Sequence, residues 1–205
     1  MLLVLSLSAA SAPSFANYCG ELTNAYGPYD YRDRANLKAN LKIVEDNHFT
    51  PEVEKLIAGK SSSIGGDLDY TLRAFPNHHR ALTSVARLAV RSKSPSERGM
   101  KYSFECYFNR AVRFQPDDPV VRTIYGSYLS KVGRWNEALE HLSEAVRLQP
   151  DNPTSNYNLA LVYFEKQDYE QARLYAKKAY DMEFPLPGLK NKLIQRGKWG
   201  DETAK

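Results

Sequence analysis

The 205-residue chain is poor in cysteine, in net charge and in long hydrophobic runs. It has two cysteines, and 28 Lys and Arg against 24 Asp and Glu give a formal net charge of +4. An excess this small, with both signs interspersed, is too weak to indicate a nucleic-acid partner by itself. The apolar run near the N-terminus, of about ten residues, is too short to cross a bilayer about 30 Å thick. We therefore expect no nucleic-acid binding and no membrane span in this run.

Motifs of catalysis and metal binding are also missing. The stretch "AGKSS" at 58–62 resembles the end of a phosphate-binding loop, but that loop needs a glycine five places before Gly59, where the chain has Glu54. His78 and His79 are adjacent, point in different directions on a helix, and have no third ligand four residues on. No stretch matches a nucleophile elbow or a helical zinc-protease motif. We predict that the protein is not an enzyme and uses no cofactor or metal.

The first sixteen residues indicate export. The segment "MLLVLSLSAASAPSFA" has no charged side chain and ends with small residues at Ser14 and Ala16, the two positions that a signal peptidase reads. We predict cleavage after Ala16 and a periplasmic or secreted protein, with a buried N-terminal strand as the alternative. Lipid attachment to Cys19 is disfavoured because Tyr18 precedes it, where lipoprotein processing needs a small residue.

The two cysteines, Cys19 and Cys106, are expected to form a disulfide in an oxidising compartment. In the loop-entropy model such a bridge would stabilise the fold by up to about 4 to 5 kcal/mol. The alternative is two unpaired thiols. The bridge would fasten the N-terminal segment, whose tyrosine-rich beginning has no helical period, to the body of the protein. We predict an extended strap over residues 17–50.

The second half of the chain repeats itself. "AVRFQPDDP" at 111–119 and "AVRLQPDNP" at 145–153 differ at two positions and lie 34 residues apart. At this offset small residues align with small ones, as Gly126 with Ala160, and Trp135 aligns with Tyr169. Apolar residues recur at spacings of three and four, so each unit is predicted to contain two helices. The repeated "QPDNP" then ends one helix, caps the next and places a proline at its first position.

A period of 34 with these residues resembles the tetratricopeptide repeat family over residues 119–184. The resemblance implies an all-α, right-handed solenoid of helical hairpins. The chain departs from the family at Arg122 and Asn156, where a tryptophan usually opens the first helix, and at Phe184, where a closing proline is expected. These departures are expected to weaken the packing locally without disturbing the period.

The same pattern continues in degraded form on both sides of the regular repeats. We expect about four units: 51–76, which is irregular and begins with a helix at Pro51; 77–118, which carries a loop insertion; and the regular units 119–152 and 153–184. Residues 185–205 are predicted to form a capping helix and tail, with Leu189, Leu193 and Trp199 on its apolar side. An anionic membrane surface is the alternative partner of that helix.

The resemblance implies that the first helix of each unit lines the concave face. Arg80, Arg87 and Arg91 then form a basic ridge, because they fall within about 40° of one line on a helix. Further along, an apolar end would suit the anchor of a partner whose acidic residues bind the ridge. The remaining predicted binding residues are Thr123, Ser127, Lys131, Tyr157, Asn158, Leu161 and Phe164. Alternatively, the arginines form a solvated face, or the strap itself fills the groove.

Together these patterns predict an exported, non-catalytic interaction module that acts as an adaptor or assembly scaffold for an envelope protein. The partner is expected to be a protein or peptide with acidic residues. Two other readings stay open at this stage: a structural homo-oligomer assembled through the terminal helices, and an envelope enzyme with an unrecognised site.

Overall fold

Helices are the regular elements of the structure, a computed structural model that describes residues 19–200. They are α1 (Lys38–His48), α2 (Pro51–Glu54), α3 (Ile64–Ala74), α4 (His79–Arg91), α5 (Phe104–Phe114), α6 (Pro119–Lys131), α7 (Trp135–Leu148), α8 (Pro153–Glu165), α9 (Tyr169–Asp181) and α10 (Gly188–Gln195). A short 3₁₀ turn spans Tyr31–Asp33. The predicted signal peptide, residues 1–16, and its cleavage site lie outside the described residues.

The helices pack in series along the chain. α6 packs along α7, α7 against α8, and α8 along α9, while α4 contacts both α5 and α6. Upstream, α1 packs on α3, and at the other end α10 packs on α9. Each pair therefore buries its apolar side against its neighbours, and the predicted all-α solenoid of about four helical hairpins is confirmed.

The helix starts show why the nonapeptide is repeated. The side chains of Asp118 and Asn152 accept hydrogen bonds from the amide of the third residue of α6 and α8, whose first residues are Pro119 and Pro153. His78 caps α4 in the same way through its Nδ1. These caps satisfy amides that have no partner inside the helix.

The crossing of α6 and α7 depends on a residue without a side chain. A Cβ placed on Gly126 would lie 2.6 Å from Cγ of Leu142, which is fully buried on α7. The two backbones therefore approach more closely than a larger residue would permit. The equivalent position in the next hairpin is Ala160, also fully buried.

The N-terminal region differs from the sequence prediction in two respects. Residues 38–48, predicted as part of an extended strap, form helix α1, which supplies the partner of α3. The helix predicted to begin at Pro51 does begin there, but it ends after four residues at Glu54. Leu56 then takes a left-handed backbone conformation with φ 60°. The period of α1 was too weak to detect because only Leu41 and Val44 are buried on it.

The start of the chain is attached to the body by the Cys19–Cys106 disulfide, whose Cα atoms are 5.1 Å apart, and this prediction is confirmed. Beside it Arg110, 1% exposed, donates from Nη1 to the carbonyl oxygens of Cys19 and Glu21 at 3.0 and 2.6 Å. Its guanidinium also lies 4.6 Å from the ring centroid of Tyr102. A buried cation thus orders the beginning of the strap through main-chain oxygens.

Further along, the strap packs on the loops that start α4 and α6. The amide of Tyr31 donates to Oδ1 of Asn77, and Nδ2 of Asn77 donates to Asp118. Asn77 therefore links the strap to the caps of two successive units. None of residues 19–37 lines the groove described below.

The C-terminal end of the array is covered by α10. Leu189 and Leu193, four residues apart, are fully buried in a cluster with Ala176 and Ala179 of α9. Among the described helices none combines the length and apolarity that a membrane span requires.

Candidate functional site

A groove of about 370 Å³ runs across the first helices of three successive hairpins. Its lining comes from α4, α6, the start of α8 and the end of α2. The lining residues are Glu54, His79, Arg80, Thr83, Arg87, Val120, Thr123, Ile124, Asn152 and Thr154. This is the surface on which the sequence placed the binding residues, and α2 is the unexpected contributor.

The charge of Arg80 is compensated inside the molecule. Its guanidinium donates from Nε to Glu54 at 2.9 Å and from Nη1 to Glu45 at 3.3 Å. The hydrogen bond from Arg80 lowers the pKa of the Glu54 carboxyl against the opposing effect of burial. The guanidinium also lies 5.3 Å from the ring centroid of Phe49. The first arginine of the predicted ridge is therefore paired within the chain rather than free for a partner.

Arg87 is oriented without being neutralised. Its Nη2 donates to the main-chain oxygen of Glu54 and, at 3.1 Å, to Oγ of Ser84. Both acceptors are uncharged groups, and the residue is exposed. Its guanidinium is therefore held in place beside the groove and keeps its positive charge.

Beyond Arg87 the groove continues into a second cavity of about 240 Å³, lined by Lys55, Leu56, Arg87, Val90, Arg91 and Lys131. We call it the cationic pocket. Four of its six lining residues are cations and none is acidic. Lys55, Arg91 and Lys131 form no ion pair with any residue of the described part of the chain. The pocket thus combines Arg87, Arg91 and Lys131 of the predicted set with Lys55, which the sequence did not indicate.

Two aliphatic side chains line the cationic pocket, and two more follow its lining residues in the chain. Leu56 and Val90 line it, and Val90 is 44% exposed. Ile57, 69% exposed, follows Leu56 in the chain, and Val132, 41% exposed, follows Lys131. Exposed aliphatic residues therefore accompany the cations at this end of α4 and α6.

The hydroxyls of Thr123 and Ser127, both predicted to bind a partner, are engaged in contacts within the fold. Thr123 is 7% exposed, and its Oγ1 lies 2.8 Å from the carbonyl oxygen of Pro119 and 2.7 Å from Oγ of Ser155. Ser127 donates to the carbonyl oxygen of Thr123 at 2.6 Å. The two hydroxyls are used by contacts within α6 and between α6 and α8, which helical phase does not reveal.

The predicted apolar end of the groove is covered by the protein's own C-terminal segment. Tyr157 is 8% exposed and stacks on Phe184 with centroids 4.1 Å apart. Leu161 and Phe164 pack against the cluster beneath α10, and Nζ of Lys192 lies 5.4 Å from the centroid of Phe164. The side chains predicted to anchor a partner instead dock the cap. Asn158, on the same helix, is half-buried.

Family models of the TPR repeat and the tetratricopeptide repeat match residues 129–167 and 153–184 respectively. Residues 129–184 are tetratricopeptide repeats. The chain is similar to a solved structure titled "MamA MSR-1 C2", with 16% sequence identity and a TM-score of 0.45. The match covers 75% of this chain and 90% of the chain of that structure. No curated protein matches the chain.

Tetratricopeptide repeats generally form non-catalytic protein–protein interaction modules, because stacked helix pairs create an extended binding surface. In this chain the surface has two unlike parts. Around Arg80 it is neutralised by Glu45 and Glu54, whereas at the cationic pocket it presents four cations. In the part of the chain that the structure describes, cations with no carboxylate in the same lining therefore lie at the cationic pocket, near the C-terminal ends of α4 and α6.

Proposed function

We propose that this protein is an exported, non-catalytic adaptor or assembly scaffold that binds an acidic segment of an envelope protein at the cationic pocket. The proposal rests on one observation: a single cavity is lined by Lys55, Arg87, Arg91 and Lys131, and its lining includes no carboxylate. The remainder of the α4–α6 surface positions the partner.

The chemistry of the pocket favours carboxylates over other groups of a protein partner. Arginine binds a carboxylate through two parallel hydrogen bonds, and lysine adds a point charge. The exposed aliphatic side chains Ile57, Val90 and Val132 supply contact area for an apolar residue next to the acidic one. Arg87 and Arg91 lie on α4 and Lys131 lies on α6. Both helices are packed in the solenoid, so the backbone that presents these cations loses little conformational freedom on binding.

Export is supported by two separate features. The Cys19–Cys106 bridge is typical of proteins in oxidising compartments. The uncharged N-terminal segment with its small-residue ending fits a cleaved secretory signal. Together they favour a partner in the cell envelope or outside the cell.

A charge-reversal experiment tests the pocket. Arg91→Glu combined with Lys131→Glu replaces two of its cations, and Arg147→Glu combined with Lys178→Glu makes the same change in charge at exposed positions of α7 and α9. Each protein would be titrated with a labelled peptide of alternating Glu and Leu and cross-linked in an envelope extract. We expect at least a tenfold loss of affinity, and loss of the cross-linked partner, in the first variant only.

Equal binding by the two double variants would contradict the proposal.

Light scattering on the mature protein tests the alternative of a structural homo-oligomer, which the sequence left open. A mass that stays at one monomer over a hundredfold range of concentration is expected for an adaptor. A fixed oligomer that survives dilution and binds no acidic peptide would favour the architectural role instead.

A further inference from the structure

A separate cavity of about 540 Å³ lies on the side of the solenoid formed by the second helices. Its lining comes from α5, α6 and α7 and from the beginning of the strap. Its lining residues are Cys19, Ser103, Glu105, Cys106, Asn109, Tyr125, Arg134, Glu137 and His141. The disulfide forms one wall, so the beginning of the strap helps to enclose the cavity. No residue of this lining belongs to the groove or to the cationic pocket.

The rings of Tyr125 and His141 lie together at the floor of the cavity. Tyr125 is 3% exposed, and its hydroxyl donates to Glu105 at 3.0 Å. The imidazole of His141 lies against it with ring centroids 4.3 Å apart. His141 is half-buried here. Burial lowers the pKa of His141 to about 4, so the ring is neutral at pH 7.

Several hydrogen-bonding groups in the wall have no partner among the described residues. Nδ1 of His141 lies 3.3 Å from Nη1 of Arg122, which fixes the proton on Nε2. Nε2 itself, the amide of Asn109 and the hydroxyl of Ser103 make no hydrogen bond to any residue in the range 19–200. These three groups and the carboxylates therefore offer a ligand both donors and acceptors.

The charged side chains of the lining determine whether an anionic or a cationic ligand is favoured. Arg134 donates to Glu105 at 2.7 Å and to Glu137 at 2.7 Å, so one guanidinium is held between two carboxylates. The lining therefore carries one net negative charge, from two carboxylates and one guanidinium, and Arg122, outside the lining, lies 3.3 Å from the neutral imidazole. An anionic ligand is disfavoured by that charge, and a cationic donor is attracted to the oxygens of both carboxylates.

We propose that this cavity is a second binding site, which takes a cationic nitrogen group: the ammonium or guanidinium of a small amine, or that of a basic side chain on a partner protein. The cation lies beside Glu105 and Glu137, and its substituents contact Asn109, Ser103 and the ring of His141. Arg134 shows within the protein itself that this pair of carboxylates accepts a guanidinium.

The test follows the His141 ring in proton–carbon NMR spectra of the disulfide-bonded protein. The cationic probes are agmatine and the peptide acetyl-Gly-Arg-Gly-amide, and the comparison probes are acetyl-Gly-Glu-Gly-amide and glycerol. We expect saturable shifts of the His141 resonance with the cationic probes only. A stronger response to agmatine would identify a free amine as the natural ligand, and a stronger response to the peptide would identify a protein side chain.

Two glutamates on α7 provide a matched pair of variants. Glu137 pairs with Arg134 in the cavity wall, and Glu144 pairs with Arg147 and does not line the cavity. Glu137→Gln should weaken binding of the cationic probe at least fivefold, and Glu144→Gln should leave it within a factor of 1.5. Asn109→Ala, which leaves every charge in place, should weaken it about threefold.

Absence of a His141 shift with both cationic probes would overturn the proposal, as would an equal response to the glutamate peptide or to glycerol. Equal affinities of Glu137→Gln and Glu144→Gln would do so too. The cationic pocket is not involved in any of these measurements, so the two binding proposals stand or fall separately.

Discussion

Arg122 and Asn156, 34 residues apart, each donate a hydrogen bond to the carbonyl oxygen of a proline six residues earlier. The distances are 3.1 Å from Nη2 of Arg122 to Pro116 and 2.9 Å from Nδ2 of Asn156 to Pro150. These are the two positions where the family usually has tryptophan. The polar side chains therefore take a shared local role, in which each ties the first helix of its repeat to the loop that precedes it.

The caps of the same two helices predict unequal effects on stability. Asn152→Ala removes a cap from α8 and should lower the free energy of unfolding by about 1 kcal/mol. Asp118→Ala should cost more, about 2 to 3 kcal/mol, because the fully buried carboxylate of Asp118 also accepts from Asn77 and His79, and each of these would lose one hydrogen bond. Urea unfolding followed by circular dichroism measures both.

The exposed Asp151, one residue before the second cap, provides the control: Asp151→Ala should change the unfolding free energy by less than 0.5 kcal/mol, as surface substitutions usually do. Equal losses in Asp118→Ala and Asn152→Ala would show that the links from Asn77 and His79 contribute nothing to stability.

The regular half of the fold could be predicted from the sequence because its signals are local. The prolines at 119 and 153, the capping residues before them and the small residues at the crossings act within a few residues or at a fixed offset of 34. The observed helices α6 to α9 begin and end within the two repeats that these signals predict. The disulfide was also predictable, since a chain with two cysteines offers only one intramolecular pairing.

The missed features depend on residues far apart in sequence. Glu45 and Glu54 neutralise Arg80 from α1 and α2, 35 and 26 residues away, and nothing in the phase of α4 indicates them. The covering of Tyr157 likewise needs the fold-back of Phe184 and α10. Helical phase shows which face a side chain lies on, but it does not show what else in the chain covers that face.

Stability should fall as the pH is lowered through the range in which free histidine titrates. Burial lowers the pKa of His78 and of His141, the latter to about 4, while the unfolded chain has values near 6.5. For His141, the unfolded state therefore binds more protons than the native state between pH 6.5 and 4, and at most about 1.4 kcal/mol of stability is lost per pH unit. His78 acts in the same direction. At pH 7 and above their contribution is fully present.

The variant His141→Asn isolates one of these groups, because the amide oxygen can replace Nδ1 as the acceptor for Arg122. Urea unfolding at pH 7, 6 and 5 should show a shallower decline of stability for His141→Asn than for the unchanged protein, and other titrating groups cancel in this difference. Parallel declines would mean that His141 is protonated in the native state as readily as in the unfolded one.

Removal of the disulfide should lower the free energy of unfolding of the protein without unfolding the helical repeats. Cys19→Ser with Cys106→Ser frees a loop of 87 residues, and the loop-entropy model gives a loss of up to about 4 to 5 kcal/mol. The helical circular dichroism should remain at low denaturant, with the urea midpoint lowered. The unchanged protein in reductant should behave like the double variant, and a midpoint unaffected by both treatments would show that Arg110 and Asn77 hold the strap unaided.

Glu54 sets the extent of the cationic surface, so its neutralisation should strengthen the binding of an acidic partner. Glu54→Gln keeps an oxygen acceptor for Arg80 but leaves that guanidinium with Glu45 alone, which adds positive charge beside the pocket. Affinity for the labelled Glu and Leu peptide should rise about threefold at low salt, and loss of the partly exposed ion pair should cost at most about 1 kcal/mol of stability.

Glu165→Gln, which breaks the ion pair with Lys192 at the far end of the array, should leave the affinity unchanged. The gain should disappear in 0.5 M salt, because screening at that ionic strength shortens the range of the charge to about 4 Å. A gain that survives high salt would have to come from altered packing of α2 rather than from charge.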